Sequence, residues 1–394
     1  MKIDSFKDIY DQERLEKDLK INGGRPYQQC TISVMDTIAD PNIAFDENGI
    51  CNYYHEFLHA KKKLEEVQYE KGSFKEQIEL IKSSRKGKYD CIIGLSGGVD
   101  SSYLCHLAKT VDLNPLVVHF DYGWNLDLAV NNIESLTKKL DFDLYTYVMD
   151  WRQFKDLQRA YFKASVLDLD VPADHMIFGA LMATAHKFKI KYILSGKNVE
   201  TEQVLPSAWN YRKFDKVNLV NIHKRFGEER LTKLPSLGFV EKLKYFSFYK
   251  YELVEILNWV DYDKEACKQL LIDEYGWREY GGKHFENTFT RFYQGYILPR
   301  KFKIDKRKAH LSNLIFASQL SKEEAVIELE EPSYDLELMH EDFDFVSKKL
   351  GFSSMELDRL LSMENIAHEY YGTDKGQMEA WRKITRPLKY ILGK

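Results

Sequence analysis

Between a short apolar run and a segment with helical spacing, the chain reads Leu95-Ser96-Gly97-Gly98-Val99-Asp100-Ser101-Ser102. Two adjacent glycines allow a tight turn that exposes backbone N–H groups without a Cβ in the way. A helix predicted over 101–109 would point the positive end of its dipole at the same place. The hydroxyls of Ser96, Ser101 and Ser102 add hydrogen-bond donors. We therefore predict a phosphate-binding loop between a β-strand and an α-helix.

Asp100 is a carboxylate inside a loop that is expected to hold phosphate, so the two anions would repel each other. A divalent cation removes that repulsion, and Mg²⁺ commonly uses one or two carboxylates together with phosphate oxygens. We predict Asp100 as a magnesium ligand. The alternative is an Asp/Ser helix cap after a glycine turn, which would suit any α/β protein. No Gly-Lys-Ser/Thr follows and G-x-G-x-x-G is absent, which excludes a Walker A loop and a dinucleotide fingerprint.

Apolar runs alternate with amphipathic segments around this loop. Strands are predicted over 91–95, 116–120, 144–149 and 192–194, and helices over 101–109, 126–140, 151–167 and 173–188. The alternation predicts an α/β fold with a parallel sheet covered on both faces, whose ligands bind at the carboxyl ends of the strands. Beyond about residue 245 we predict helices without a strand, over 250–259, 264–275 and 322–329.

The whole chain has 394 residues, of which 44% are hydrophobic, enough for several domains. We predict an N-terminal segment over 1–85, a nucleotide-binding domain over 86–240, and a helical C-terminal region over 241–394 that binds substrate or a partner. The net charge of −4 gives no general field for nucleic acid. Without an apolar signal core or a membrane-spanning run, we expect a cytoplasmic protein. Five cysteines without C-x-x-C argue against a disulfide framework.

The string Ser-Gly-Gly-Val-Asp-Ser at 96–101 resembles the PP-loop of the N-type ATP pyrophosphatases, which have an adenine nucleotide alpha hydrolase-like fold. Members cleave ATP between its α and β phosphates, adenylate an oxygen, and displace AMP with nitrogen or sulfur. The resemblance implies ATP and Mg²⁺ as cofactors, Lys197 and Ser101 beside Asp100 as catalytic residues, and Glu202 as a second magnesium ligand. The ATP-binding residues that it implies are Gly94, Leu95, Ser96, Gly97, Gly98, Val99, Ser101, Ser102, Phe120, Asp121 and Gly196.

Other strings are similar to those of bacterial N-acetyl sugar amidotransferases, which act in surface polysaccharide and flagellar glycan biosynthesis. These strings lie at 30–37, 45–52, 121–125, 282–286 and 298–302. The resemblance implies conversion of a sugar acetamido group to an acetamidino group through an O-adenylated intermediate, in lipopolysaccharide or nonulosonic acid (pseudaminic or legionaminic acid) pathways. It implies ammonia from a separate glutaminase, similar to the glutaminase and cyclase pair of histidine biosynthesis.

Basic side chains are concentrated between residues 283 and 308. We predict an acidic or nucleotide-linked N-acetylated sugar as the ligand, with Arg291 or Arg300 as a bidentate clamp. A solvated basic face is the equal alternative, and RNA is a third, although we do not expect nucleic acid overall. The predicted substrate-binding residues are His284, Arg291, Arg300, Trp124 and Asn125.

The resembling family often carries C-x-x-C at two N-terminal positions, as in a zinc knuckle. Here Ser33 and Tyr54 replace the second cysteine of each pair, so that Cys30 and Cys51 remain. We therefore do not expect a complete four-cysteine zinc site, although a histidine at 55 or 59 could substitute. The alternative is a knuckle held by packing alone. The His-Glu-x-x-His string at 55–59 is interpreted as the start of a solvated helix rather than a protease site.

Three other functions are compatible with such a loop. A tRNA-modifying enzyme that inserts sulfur normally needs a paired or catalytic cysteine and a basic surface. An amide ligase acting on a small metabolite, similar to NAD or GMP synthetase, would not explain the strings outside the loop. A nucleotide-binding subunit without activity would have no need for Asp100.

Overall fold

The structure is a computed structural model that describes residues 25–281 and 285–379. A five-stranded parallel sheet lies at its centre, with the strand order β3-β2-β1-β4-β5. The strands are β1 (Cys91–Gly94), β2 (Pro115–Asp121), β3 (Leu144–Val148), β4 (Tyr192–Leu194) and β5 (Glu252–Val254). The chain order reverses at β1, which pairs with β2 on one side and β4 on the other. A crevice at the carboxyl end of β1 is therefore the expected ligand position.

Helices cover the sheet and build the rest of the molecule. The first are α1 (Asn52–Lys71), α2 (Phe74–Ser83), α3 (Val99–Thr110), α4 (Asp127–Leu140), α5 (Trp151–Ala164), α6 (Val171–Lys187), α7 (Val199–Glu202) and α8 (Lys216–Phe226). They are followed by α9 (Phe239–Lys242), α10 (Lys264–Tyr275), α11 (Thr288–Phe292), α12 (Lys306–Phe316), α13 (Lys322–Glu330), α14 (Leu336–Leu350) and α15 (Ser354–Leu361). Short 3₁₀ turns lie at Ser207–Trp209, Ile256–Trp259 and His368–Tyr371, and π-helical segments at Leu243–Phe248 and Tyr293–Phe302.

The central strand is buried on both faces, which explains its continuous apolar sequence. Ile93 belongs to the hydrophobic cluster that contains Leu104 of α3 and Leu136 of α4. Ile92 belongs to the opposite cluster, which contains Leu181 of α6. Successive side chains of a strand point to opposite faces, so one short run supplies both layers.

A third cluster connects the N-terminal segment with the C-terminal helices. Phe57 of α1, Phe154 of α5 and Phe292 of α11 are all buried within it. Residues from all three predicted regions therefore share one core. In the described ranges no helix has both the length and the apolar character that crossing a membrane requires.

The predicted helix over 250–259 is wrong. Glu252–Val254 instead pairs in parallel with β4, and Ile256–Trp259 forms a 3₁₀ turn. Val254, Ile256 and Leu257 are buried in the cluster that covers α3 and α4. Their spacing fits a helical face, but short apolar runs are ambiguous between helix and strand. The open edge of β4 decides the outcome, and the sheet takes its last strand from beyond residue 240.

Candidate nucleotide site

The glycine-rich loop leaves β1 at the carboxyl edge of the sheet. Leu95 continues the sheet pairing, because its N–H donates to the carbonyl of Val118 at 2.8 Å. Gly97 has φ of +92°, and a Cβ at this position would lie 2.9 Å from the Tyr280 hydroxyl. Gly98 is the N-cap of α3. Gly97 is therefore required both by its backbone conformation and by a close neighbour.

Hydroxyl groups hold the loop in shape at the first turn of α3. The Oγ atoms of Ser96 and Ser101 lie 3.1 Å apart, and the Gly98 N–H donates to Ser96 Oγ at 3.3 Å. Ser102 is 1% exposed, and its Oγ has no hydrogen-bond partner within the described part of the chain. The first N–H groups of a helix also lack intrahelical partners. Unpaired N–H groups at a helix N-terminus fit a site for a phosphate group, whereas the Ser102 hydroxyl is enclosed by the protein.

Two aromatic side chains fix the Gly97 peptide from outside the loop. Trp277 Nε1 and the Tyr280 hydroxyl each donate to the Gly97 carbonyl at 2.9 Å. Asn132 of α4 donates to the Tyr280 hydroxyl at 2.8 Å. Because the C=O and N–H of a planar peptide point in opposite directions, these bonds also set the direction of the Gly98 N–H.

The predicted magnesium ligands Asp100 and Glu202 line one pocket with the loop. The Tyr262 hydroxyl donates to Asp100 Oδ1. Burial raises the pKa of Tyr262 well above its usual value, and the nearby Asp100 and Glu202 carboxylates add to this shift, so the phenol remains a neutral donor. Among the described residues, no group of three or more potential metal ligands occurs. Two carboxylates nevertheless fit Mg²⁺ that arrives with a nucleotide, since phosphate oxygens and water complete its shell.

The pocket has a volume of about 720 Å³, within the range of small-molecule sites. Its loop side is lined by Ser96, Gly98, Val99, Asp100, Ser101, Gly196, Lys197 and Glu202. Three lysines contribute to the remaining walls, Lys264 and Lys268 from α10 and Lys306 from α12. Acidic side chains share these walls, namely Asp263, Glu265, Glu279, Glu286, Asp305, Glu328 and Glu331. The structure thus brings together the phosphate loop, the carboxylates of Asp100 and Glu202, and walls of mixed charge.

Of the other residues predicted around ATP, Gly196 and Lys197 line the pocket, whereas Phe120 and Asp121 lie outside it. A Cβ on Gly196 would lie 3.2 Å from the backbone carbon of Asp100, so the two segments pack directly together. Lys197 Nζ is 3.6 Å from Glu255 Oε1. Phe120 is buried against Gly94, and Asp121 accepts a bond from the Gly123 N–H at 3.0 Å. Neither Phe120 nor Asp121 lines the pocket.

The predicted arginine clamp is not part of this pocket. Arg291 is 8% exposed, and its Nε and Nη2 donate to Asp342 at 2.7 and 2.9 Å. Arg300 Nη2 lies 3.2 Å from Asp358 Oδ1. Both guanidinium groups bind carboxylates of the same chain, because the fold brings α14 and α15 within reach. This corrects the expectation that they face an acidic sugar.

Trp124 and Asn125 are likewise held by the protein itself. Trp124 is 1% exposed and donates through Nε1 to Gln158 at 2.8 Å. Asn125 Nδ2 donates to the Phe120 carbonyl at 2.9 Å. Neither side chain lines the pocket, so a direct substrate role is not supported. His284 lies outside the described residues.

Cys30 and Cys51 are fully buried neighbours, and the Cys51 N–H donates to Cys30 Sγ at 3.3 Å. A hydrogen bond from the Cys51 thiol lowers the pKa of Cys30, and burial opposes that shift. Ser33 Oγ is 3.9 Å from Cys51 Sγ, and His55 Nε2 is 2.9 Å from Asp46 Oδ2. All five cysteines are free and buried. The knuckle is therefore packed in the core, and the expectation that it lacks a complete four-cysteine zinc site stays a prediction.

Sequence reasoning missed three residues that surround the loop from the C-terminal side, Tyr262, Trp277 and Tyr280. The aromatic content of 275–280 was a visible signal, but no spacing rule connects it with a loop that precedes it by 180 residues.

Residues 286–387 match the family model described as LPS biosynthesis protein WbpG-like, C-terminal domain. The uncharacterized protein MJ1599 of Methanocaldococcus jannaschii is 24% identical over 331 residues, which are 79% of this chain and 97% of that protein. A second uncharacterized protein of the same organism, MJ1016, is 30% identical over 95 residues, 24% of this chain and 31% of that protein.

Two solved structures show a weaker likeness. The NMN synthetase from Francisella tularensis is 13% identical with a TM-score of 0.28, covering 57% of this chain and 87% of that one. The NH3-dependent NAD synthetase from Campylobacter jejuni is 12% identical with a TM-score of 0.26, covering 57% and 94%. The α/β assignment of this chain rests on its own strand order and glycine-rich loop.

Proposed function

We propose that this protein is an ATP-dependent, AMP-forming amidotransferase that converts a sugar N-acetyl group to an acetamidino group in lipopolysaccharide or related glycan biosynthesis. One observation carries the proposal: the loop at 96–101, the helix N-terminus behind it, and the carboxylates of Asp100 and Glu202 share one pocket. The WbpG-like match over 286–387 supports the connection with lipopolysaccharide biosynthesis.

The proposed chemistry solves a specific difficulty. An amide carbon is a poor electrophile because its nitrogen donates electrons into the carbonyl. Attack of the amide oxygen on the α-phosphorus breaks the α–β phosphate bond, releases pyrophosphate and leaves AMP attached to the oxygen. Ammonia then attacks the activated carbon and expels AMP, and loss of a proton gives the neutral amidine. The acceptor exchanges one oxygen for an NH group.

The chain's own groups have defined tasks in this scheme. The backbone N–H groups of 99–101 and the hydroxyls of Ser96 and Ser101 would bind the phosphates that accumulate charge, which is usually the largest contribution to such catalysis. Asp100 and Glu202 would hold Mg²⁺, which neutralises charge on the departing pyrophosphate. Lys197 lines the loop side of the same pocket and would contribute a further positive charge.

The acceptor would occupy the wall of the pocket formed by α10 and α12. Lys268 is paired with Glu265 and Glu279 at 2.7 and 3.1 Å, so its charge is partly satisfied by the protein. Lys264 and Lys306 line the same wall. We propose these two lysines, in place of Arg291 and Arg300, as the partners of an acidic or nucleotide-linked N-acetylated sugar. Ammonia would come from a separate glutaminase.

Mass spectrometry of the products tests the proposal. The protein is incubated with ATP, Mg²⁺, ammonium and a panel of N-acetylated nonulosonic acids and UDP-sugars. We expect AMP together with a sugar lighter by about one mass unit, since NH replaces oxygen. AMP without a changed sugar would contradict the acceptor class and direct attention to tRNA or a small metabolite. No AMP with any acceptor would contradict the enzymatic function.

A further inference from the structure

Tyr262 occupies a specific position beside the loop. It lies between β5 and α10, is 2% exposed, and packs in the cluster that contains Leu271 and Trp277. Its ring centroid lies 5.7 Å from that of Tyr103, one helical turn along α3 from Asp100. The phenol is therefore held on two sides by apolar packing, and its hydroxyl meets Asp100 Oδ1.

Gly196 also packs against Asp100. A Cβ on Gly196 would lie 3.2 Å from the Asp100 backbone carbon and 3.3 Å from its Cβ, so only a residue without a side chain allows this close approach of the two segments. The carboxylate has two oxygens, and the phenol has one proton to donate. The bond to Oδ1 restrains rotation of the carboxylate and leaves Oδ2 available to another ligand.

We propose that Tyr262 is a positioning residue, which holds Asp100 so that its second oxygen binds the Mg²⁺ of a bound nucleotide. This inference rests on the proposed function. Groups that orient a metal ligand from behind have large effects on affinity, although they never touch the metal. Tyr262 and Asp100 are 162 residues apart in sequence. Their hydrogen bond would therefore also connect the segment that follows β5 with the phosphate loop.

A purely structural role makes a different prediction. If the hydroxyl only satisfies a buried polar group, its removal changes stability and has no effect on the metal dependence of binding. The distinguishing measurement is the affinity for α,β-methylene-ATP, which cannot be cleaved between the α and β phosphates, with Mg²⁺ and without it. Isothermal titration calorimetry gives both values and requires no acceptor.

We expect Tyr262→Phe to bind the metal-free analogue as the wild type does. The gain in affinity on adding Mg²⁺ should fall roughly 10-fold or more. Tyr275→Phe is the matched control, because it removes a hydroxyl that lies 2.8 Å from His106 Nδ1 and does not line the pocket. Its metal-dependent gain should remain unchanged. In an Asp100→Asn background, Tyr262→Phe should have no further effect, as expected for two residues that act through one interaction. Thermal melting verifies that each variant is folded.

Three results for the variants would overturn the inference. An unchanged metal-dependent gain in Tyr262→Phe would show that the hydroxyl does not position the ligand. Equal weakening of metal-free and metal-supported binding would assign Tyr262 to packing, as would a similar loss in Tyr275→Phe. These results leave the proposed function standing if the wild type binds the analogue. If the wild type binds neither form, the proposed function fails and the inference fails with it.

Discussion

At Gly97 a single backbone angle determines whether the loop can form. Its φ is +92°, which favours glycine, and a Cβ at this position would lie 2.9 Å from the Tyr280 hydroxyl. Both features disfavour any residue with a side chain. We expect Gly97→Ala to lower the free energy of unfolding by about 1–3 kcal/mol and to abolish ATP binding, because either the angle or the aromatic clamp must change.

Gly276→Ala is the control for this prediction. Gly276 also has positive φ, +67°, but a Cβ there would meet nothing within 4 Å. The Gly276→Ala variant therefore has the strain of a positive φ at alanine but no steric clash of its Cβ, and ATP binding should be retained. Urea unfolding and nucleotide titration measure the two effects. Equal losses of ATP binding in both variants would contradict the role of the clamp.

His175 is a second position where one residue has a measurable consequence. Its Nε2 accepts from the Leu237 N–H at 3.1 Å, and its Nδ1 lies 2.9 Å from the Lys213 carbonyl. Burial lowers the pKa of His175 to about 4, below the usual value of about 6.5 in the unfolded chain. The unfolded state therefore binds the proton first as pH falls, and stability decreases between pH 6.5 and 4.

We expect urea midpoints to fall over this interval, and to fall less steeply in His175→Gln, which removes one of the buried imidazoles. The comparison is made at pH 7.0, 5.5 and 4.5. An identical pH dependence in the variant would contradict the assignment to His175.

At the scale of elements, the segment from β5 through α10 and on to Tyr280 organises a loop that it does not belong to. Trp277 Nε1 donates to the Gly97 carbonyl, and Tyr262 donates to Asp100. Trp277→Phe keeps an aromatic ring and removes one donor. One hydrogen bond contributes about 0.5–1.5 kcal/mol, so we expect a roughly 2–10-fold weaker affinity for ATP.

The matched control is Trp259→Phe, which removes an indole donor to the Gly72 carbonyl at 3.2 Å, away from the pocket. Its stability should change by a similar amount, while ATP affinity should not. Fluorescence titration with a labelled nucleotide measures the difference. A Trp277→Phe variant with wild-type affinity would refute the contribution of this bond to the loop.

At the scale of the whole molecule, a buried polar network holds the C-terminal helices together. Arg291 of α11 binds Asp342 of α14 through two bonds, and Tyr334 donates to the same carboxylate. Removing one partner of a buried pair typically costs about 3–5 kcal/mol. We expect Arg291→Ala to lower Tm strongly. In the protein that remains folded, KM for ATP and for the acceptor should change together or not at all.

Arg291→Ala combined with Asp342→Ala tests the origin of that loss. The double variant should be less destabilised than the sum of the single variants, because no buried charge is left unpaired. A selective rise in the acceptor's KM, with unchanged Tm, would restore the substrate clamp that the structure argues against.

Local chemistry was sufficient to predict the central part of the fold. The loop at 96–101, the buried strand before it and the helix after it are all specified by near neighbours in sequence. Glycines permit the turn, hydroxyls stabilise it, and hydrophobic period distinguishes strand from helix. The first four strands were therefore predicted within one or two residues of their bounds. The fifth was missed because a run of three residues has too short a period to distinguish the two structures.

Tertiary structure alone decided which distant side chains contact the loop and which charged side chains form ion pairs within the protein. Tyr262 and Trp277 reach it from 162 and 180 residues away. By sequence alone, Arg291 was as suitable for binding an acidic ligand as for binding a carboxylate of the protein. In the fold its partner is Asp342. Sequence determines what a side chain can bind, because donors, acceptors and charge are intrinsic to it. Only the folded chain determines which partner it binds, since that depends on what lies within about 3 Å.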